Sequence, residues 1–439
     1  MGWSRPALLI LSLSVGCGPP STWRGLSPDH RRSFSVFDED GRSCVELEQE
    51  EPRCFDGVAV SRIVFSPDGR HLAYPVQEGE RWLVVHDGRR GAEVDGIGEV
   101  VFSPDGQRVA YTAERRGSWH VVVDEVFGPP FDSLYAGTLS FSPDGRRHGY
   151  AAFGDGAAMA VVDEAIGTPH LGIAQLRFSS HDGTVAYVAR DSVGVRAYVN
   201  RTPGIAHASI ERFTFHPRGN GVAYVARDGV DAWVVHGSTR WGPYVEVRDI
   251  AFHPETAALV FVVRDGEGER VVVNGAEGPA HESVDPPVFA ERGSVWGYVA
   301  HDSAGSAAVI DGTVADERDW IGDLTFNPDG TRYAYLTRSA EADFVVHDRG
   351  IQEFDMVVDG TLQFLQQGDR WACLAGELDD RKLFVTAEGV RGVREFAWAE
   401  FTGVADRGSG LDSVEGAALG ALRAWVAAEA ELMVEGEGR

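Results

Sequence analysis

The chain has 439 residues, 43% hydrophobic and 24% charged, a globular balance that excludes an intrinsically disordered chain. Its 40 Lys and Arg against 67 Asp and Glu leave a formal charge of −27, which disfavours nucleic acid as a partner because phosphate backbones require basic patches. Four Cys exclude a disulfide scaffold and a metal finger, and the length exceeds what one core can support unless that core is built by repetition.

The N-terminus carries Arg5 and then an apolar run from Ala7 to Val15, the pattern of a secretory signal. The run is too short to span a bilayer, and no later segment reaches the ~18 uncharged apolar residues of a transmembrane helix. Leu13-Ser14-Val15-Gly16-Cys17 resembles a bacterial lipoprotein signal, with Leu one place further from the Cys than the family pattern has it. That resemblance implies lipidation of Cys17, residues 1–17 as signal, and residues 18–32 as a tether or a first strand; signal cleavage without lipidation is the other reading. Cys44 and Cys54 lie ten residues apart across an expected hairpin and are a candidate disulfide in an exported protein. Cys373 takes a repeat position otherwise aromatic and reads as a small buried hydrophobe.

From there a phrase recurs. Phe65-Ser66-Pro67-Asp68-Gly69 returns at Phe102, Phe141 and, with Asn327 for Ser, at Phe326; weaker copies start at Phe178, Phe215, Phe252, Phe289 and Phe364. The anchors are 37 to 39 residues apart, the mark of one supersecondary unit stacked many times. In the copy at 98–135, Glu99–Ser103 reads as a first strand, Pro104-Asp105-Gly106 as a turn, and Arg108–Ala113 as a second strand. Trp119–Val123 reads as a third strand and Phe131–Leu134 as a fourth. Nine residues after every Phe but Phe364, which is followed by Cys373, stands a second aromatic: Tyr74, Tyr111, Tyr150, Tyr187, Tyr224, Phe261, Tyr298 and Tyr335. The residue before it is small in most copies, which suggests close approach of neighbouring sheets. Asp87-Gly88, Asn274-Gly275 and Asp311-Gly312 after the third strand are tight-turn signals.

Units this small bury their faces only by stacking, and small antiparallel sheets repeated about an axis make a β-propeller. The Phe-Ser-Pro-Asp-Gly phrase followed by a strand ending in Ala-Tyr resembles the TolB-like, WD40-like propeller repeat of bacterial periplasmic and surface proteins, over residues 26–403. The expected fold is therefore all-β, a propeller of about ten four-stranded blades over residues 33–404, a single ring being preferred to two five-bladed rings or a nine-bladed one. Either residues 23–27 supply the first strand of the first blade, or the strand of Phe401 joins it from the other end. Residues 405–439 read as a loop and an amphipathic helix from Ser413 to about Val434, with Val414, Ala418, Leu422, Trp425 and Leu432 on one face.

Little in the chain points to catalysis. It has no nucleophile elbow, zinc helix or phosphate-binding loop, and the sequence suggests neither a cofactor nor a metal set. His216 and His253 replace Ser in the turn and read as structural; His86, His236 and His347 end third strands in separate blades. Asp68, Asp105, Asp144 and Asp329 read as turn chemistry. Function breaks repeat symmetry, so the candidate binding residues are the irregular Trp82, Arg240, Trp241, Arg318 and Trp320. The expectation is a non-catalytic, exported scaffold of the bacterial cell envelope, held to the membrane by a lipid anchor and binding a protein or peptide. The alternatives are a glycan-active hydrolase or lyase with channel-facing carboxylates, and a structural envelope component.

Overall fold

The computed structural model describes residues 22–28, 31–48, 50–219, 221–365, 370–377, 382–388, 390–391 and 426. The Ser-Pro-Asp-Gly phrase is a closed hydrogen-bonding device. In the copy at Ser103, the Gly106 N–H donates to the Ser103 carbonyl at 2.9 Å, and the Ser103 hydroxyl donates to Asp105 Oδ1 at 2.5 Å. That hydroxyl also accepts the N–H of Arg108 at 2.9 Å, so one buried side chain holds both ends of the turn. Ser66 and Ser142 repeat the arrangement.

Each turn joins a first strand to a second, and the second is the centre of its sheet. In the third sheet Gly96–Phe102 pairs with Val109–Arg115, which pairs with Ser118–Val123, which pairs with Val126–Phe127, all antiparallel. The third strand turns into the fourth through two residues with positive φ, Asp124 at 49° and Glu125 at 67°. Asp87-Gly88, Asn274-Gly275 and Asp311-Gly312 do the same, which is why Asn, Asp and Gly recur there.

Among the described residues, ten four-stranded antiparallel sheets follow one another along the chain, four of them with the first strand in two pieces. The chain divides after Gly229 into two compact units. The first holds five sheets, whose second strands are Ser33–Glu39, Leu72–Glu78, Val109–Arg115, His148–Gly154 and Val185–Arg190, together with the strands Ser209–Phe215 and Val222–Asp228 of the sixth. The second holds the strands Asp231–His236 and Thr239–Tyr244 and then four sheets, whose second strands are Leu259–Asp265, Trp296–Asp302, Tyr333–Arg338 and Trp371–Glu377. The fold class is all-β, with the ten sheets a ten-bladed propeller requires.

The second strands are buried on both faces. In the first unit, Leu72, Tyr74 and Val76 pack against Phe34, Val36 and Phe55 of the preceding sheet. Ala73 of the same strand packs with Val109 and Tyr111 of the next. Alternation along a strand thus assigns one face to each neighbour. The small column is a matter of space: a Cβ on Gly149 would stand 3.2 Å from the ring of Phe178 in the following sheet. The Tyr column is buried throughout, from 0% exposure at Tyr111 and Tyr335 to 5% at Tyr74. Among the Phe anchors, Phe65, Phe141, Phe252, Phe326 and Phe364 are buried, and Phe102, Phe178, Phe215 and Phe289 are half-buried.

Three boundaries differ from the reading of the sequence or bear on it. The strand expected at Phe131–Leu134 is divided between two sheets. Val126–Phe127 and an isolated bridge from Trp119 to Phe131 close the third sheet, whereas Ser133–Leu134 opens the fourth by pairing with Phe153 and Ala152. Pro129 and Pro130 explain the break, because proline offers no N–H to the ladder. At the other end of the repeat, Trp23–Leu26 pairs with Ser33–Val36 and forms the first strand of the first sheet. Phe401 lies outside the described residues. So does the expected C-terminal helix, apart from Val426, which is helical and buried.

Candidate functional site

Arginine ties the regular sheets together. Six residues after Phe102, Phe141 and Phe326 stand Arg108, Arg147 and Arg332, and each donates from Nε to the turn Asp beside it: Asp124 at 2.7 Å, Asp163 at 2.7 Å and Asp348 at 2.8 Å. Each guanidinium also reaches forward. Arg108 donates to the Arg146 carbonyl at 3.0 Å and Arg147 to that of Gly183 at 3.0 Å, while Arg332 meets Glu388. On the way each covers the next Phe anchor, with 5.4 to 5.7 Å from Cζ to ring centroid. After three of the copies that lack this Arg an imidazole covers the next anchor: His86 on Phe102, His236 on Phe252 and His253 on Phe289. The scattered histidines therefore follow the packing of the repeat. His253 also accepts the N–H of Glu255, two residues on, through Nδ1 at 3.2 Å, whereas the Ser of the regular turn accepts the N–H five residues on.

The acidic turn residues are part of the same local chemistry. Asp68, Asp105 and Asp144 are held below the usual carboxylate range, first by the hydroxyls of Ser66, Ser103 and Ser142. Thr331 does this for Asp329. Every described carboxyl whose pKa is displaced is displaced downward.

Of the five candidate binding residues only Arg240 and Trp241 share a strand, and all five are engaged locally. Trp82 packs beside the cluster that holds Ile97 and Tyr111, and pairs through its backbone with Val94. The Arg240 guanidinium lies 3.4 Å over the ring of Trp233, and Trp241 tilts onto Phe261 at 6.1 Å. Arg318 pairs with Asp316 at 2.9 Å. Trp320 is half-buried against the cluster containing Phe354 and Trp371, and is covered by Arg338 at 4.6 Å. Arg240 and Arg318 stay exposed, and the three tryptophans are half-buried.

The repeat breaks most at its beginning. Between the third and fourth strands of the first sheet, five residues, 48–52, replace the usual two and bring in Glu48, Glu50 and Glu51. Beside them a cleft of about 180 Å³ lies between the first and second sheets. Val45, Leu47, Leu72 and Tyr74 line its apolar part; Arg32, Arg53, Arg70, Glu50, Glu51 and Asp87 line the rest. Arg32 pairs with Glu48 at 3.1 Å and Arg53 donates to the Gly88 carbonyl at 2.6 Å. Arg70 is exposed, its side chain 81% accessible, and pairs with Asp68 at 3.8 Å. Cys44 and Cys54 stand opposite each other in the strands that carry this loop, and their sulfurs are bonded.

At the same place His71 replaces the repeat Arg. Its Nδ1 is 2.5 Å from Asp87 Oδ2, and His86 Nε2 is 3.7 Å from the same oxygen. Two imidazoles and a carboxylate thus meet within one sheet. The sequence reading compared histidines of separate blades and missed this set; the signal was His71 at the one clear copy of the turn that lacks Arg six residues after its Phe. The 15-residue spacing to His86 is that of a strand, a turn and the paired strand.

No protein-family model and no curated protein matches the chain. Solved structures resembling it include the Dos1 propeller, at 10% identity with a TM-score of 0.31, covering 66% of this chain and 91% of that one. The dihydro-heme d1 dehydrogenase NirN is similar at 14% identity with a TM-score of 0.30, covering 66% and 71%. TolB from Acinetobacter baumannii is similar at 12% identity with a TM-score of 0.25, covering 77% and 75%.

Proposed function

We propose that this chain is a non-catalytic, exported scaffold of the bacterial cell envelope that binds a protein or peptide partner in the cleft between its first two sheets. The cleft carries the reading. It lies where the repeat is broken by an acidic loop, it offers apolar side chains beside exposed charge of both signs, and the exposed Arg70 can turn from Asp68 to a partner's carboxylate. An apolar side chain of the partner covers Leu47 and Tyr74 while its charged neighbours meet Arg70 and Glu50. Lipidation at Cys17 places the scaffold on a membrane; no helix among the described residues is long and apolar enough to cross one.

One experiment addresses both parts. Full-length protein is expressed in a bacterial host, its membranes are fractionated, and partners are captured from the envelope. The wild type is expected in the membrane fraction with a specific partner; Arg70→Glu should lose that partner without losing its fold, and Cys17→Ser should leave the membrane. Equal recovery by wild type and Arg70→Glu, alongside release of soluble glycan from envelope polysaccharide, would replace this reading with the hydrolase. Unchanged fractionation of Cys17→Ser removes the anchor.

A further inference from the structure

We infer that His71, His86 and Asp87 form a binding site for a single divalent transition metal of the zinc class. Three observations meet here. The first is the departure from the repeat: Arg108, Arg147 and Arg332 clasp the turn Asp in their sheets, whereas the second sheet has His71. Arginine keeps its proton and cannot ligate a metal; imidazole can. The exchange also gives up the forward reach to the next turn, so the clasp is not merely rebuilt with a shorter side chain.

The second is geometry. One ligand atom from each of the three residues can be chosen so that all lie within 4.8 Å of one another. Ligands at 2.0–2.2 Å from a tetrahedral zinc stand roughly 3.3–3.6 Å apart, a closure that side-chain rotation supplies. The carboxylate is already oriented: Asp87 Oδ1 accepts the N–H of Leu72 at 3.0 Å, and the Asp87 N–H donates to the Leu72 carbonyl at 3.0 Å. Such outer bonds are what fix a metal ligand in place.

The third is an unmet need. His86 Nε2 is buried and has no hydrogen-bond partner. A buried imidazole nitrogen without a partner is costly, and a metal would satisfy it. The donor set selects the ion: two imidazoles and one carboxylate suit zinc, cobalt or nickel, whereas calcium and magnesium prefer all-oxygen cages. A second close triple among the described residues, Glu39, Cys44 and Cys54, differs because its two sulfurs are bonded to each other.

The test uses untagged full-length protein and the metal alone. Zinc is titrated by calorimetry and cobalt by visible absorption. One zinc per chain and the d–d bands of four- or five-coordinate cobalt are expected. His71→Arg restores the residue that Arg108 and Arg147 provide in neighbouring sheets, so it should fold and unfold like the metal-free wild type. It should weaken zinc by more than the roughly 10–100-fold that loss of an outer-shell partner costs. Asp87→Asn should do the same to zinc and abolish the cobalt bands. Absence of stoichiometric zinc binding by the wild type, or binding by His71→Arg with unchanged affinity, overturns the assignment.

Discussion

Tyr224→Ala is expected to destabilise the protein by about 3–5 kcal/mol, the cost of truncating a fully packed aromatic. Tyr224 is 4% exposed, His207 packs edge-on to it at 5.9 Å, and it sits on a second strand flanked by the buried Ala223 and Val225. Removing the ring opens a cavity where two sheets meet, and a stack in which each sheet is held by its neighbours transmits that loss. Tyr224→Phe is the control. Phe261 fills the same column at 0% exposure, so the position needs the ring and not the hydroxyl, and the change should stay within about 1 kcal/mol. Urea midpoints check both. A small shift for Tyr224→Ala would remove this column from the core.

The second large effect is expected at Glu269. Its side chain is completely buried at the start of a third strand, yet it is ionised and fully engaged. Arg248 donates to it at 2.5 Å, Arg264 at 2.6 Å, and the backbone N–H of Val284 in the following sheet at 3.0 Å. One carboxylate thus fastens the seventh sheet to the eighth. Asp343 fastens the ninth to the tenth in the same way, accepting from Arg338 at 3.2 Å and from the Val357 N–H at 2.8 Å. Glu269→Ala leaves two arginines facing an emptied site and an N–H without its acceptor, and should cost about 3–5 kcal/mol.

The pH dependence has a definite sign. Burial pushes the Glu269 carboxyl up, but the bonds from Arg248, Val284 and Arg264 outweigh it and hold the group below its usual range. A carboxyl depressed on folding stabilises the protein fully above its unfolded pKa, near 4.3, and loses that contribution as pH falls through the folded value. Glu269→Gln should therefore be less stable than wild type at neutral pH, and the difference should narrow by roughly pH 3. Urea midpoints that differ equally at both pH values would show that the charge of Glu269 contributes nothing.

What the sequence discloses here follows from what periodicity carries. The Phe and Tyr columns, the Ser-Pro-Asp-Gly turn and the small residue before most of the Tyr are local and repeated, so they announce nine small sheets with both faces buried, and a first sheet in residues 23–57 follows from the same spacing. The start of each sheet is less legible. Phe131 and Ser133 are two residues apart but belong to different sheets, a division that depends on where Pro129 and Pro130 interrupt pairing. The site is less legible still. His71 and Asp87 meet only because Leu72 and the turn after His86 are bonded across the strand pair, a fact of register rather than spacing. The buried charge of Glu269 is invisible for the same reason: its arginines come from two other strands.

The central claim is that one strand–turn–strand unit recurs along the chain and that its second and third strands are buried by their neighbours. Hydrogen exchange followed by mass spectrometry, at residue-level fragmentation, tests this directly. The account predicts protection maxima at the strands bearing Tyr74, Tyr111, Tyr150, Tyr187, Tyr224, Phe261, Tyr298 and Tyr335, spaced like their anchors, with fast exchange at the exposed turns between third and fourth strands. Protection that lacks this period, or that skips strands within a run of neighbouring repeats, would contradict it.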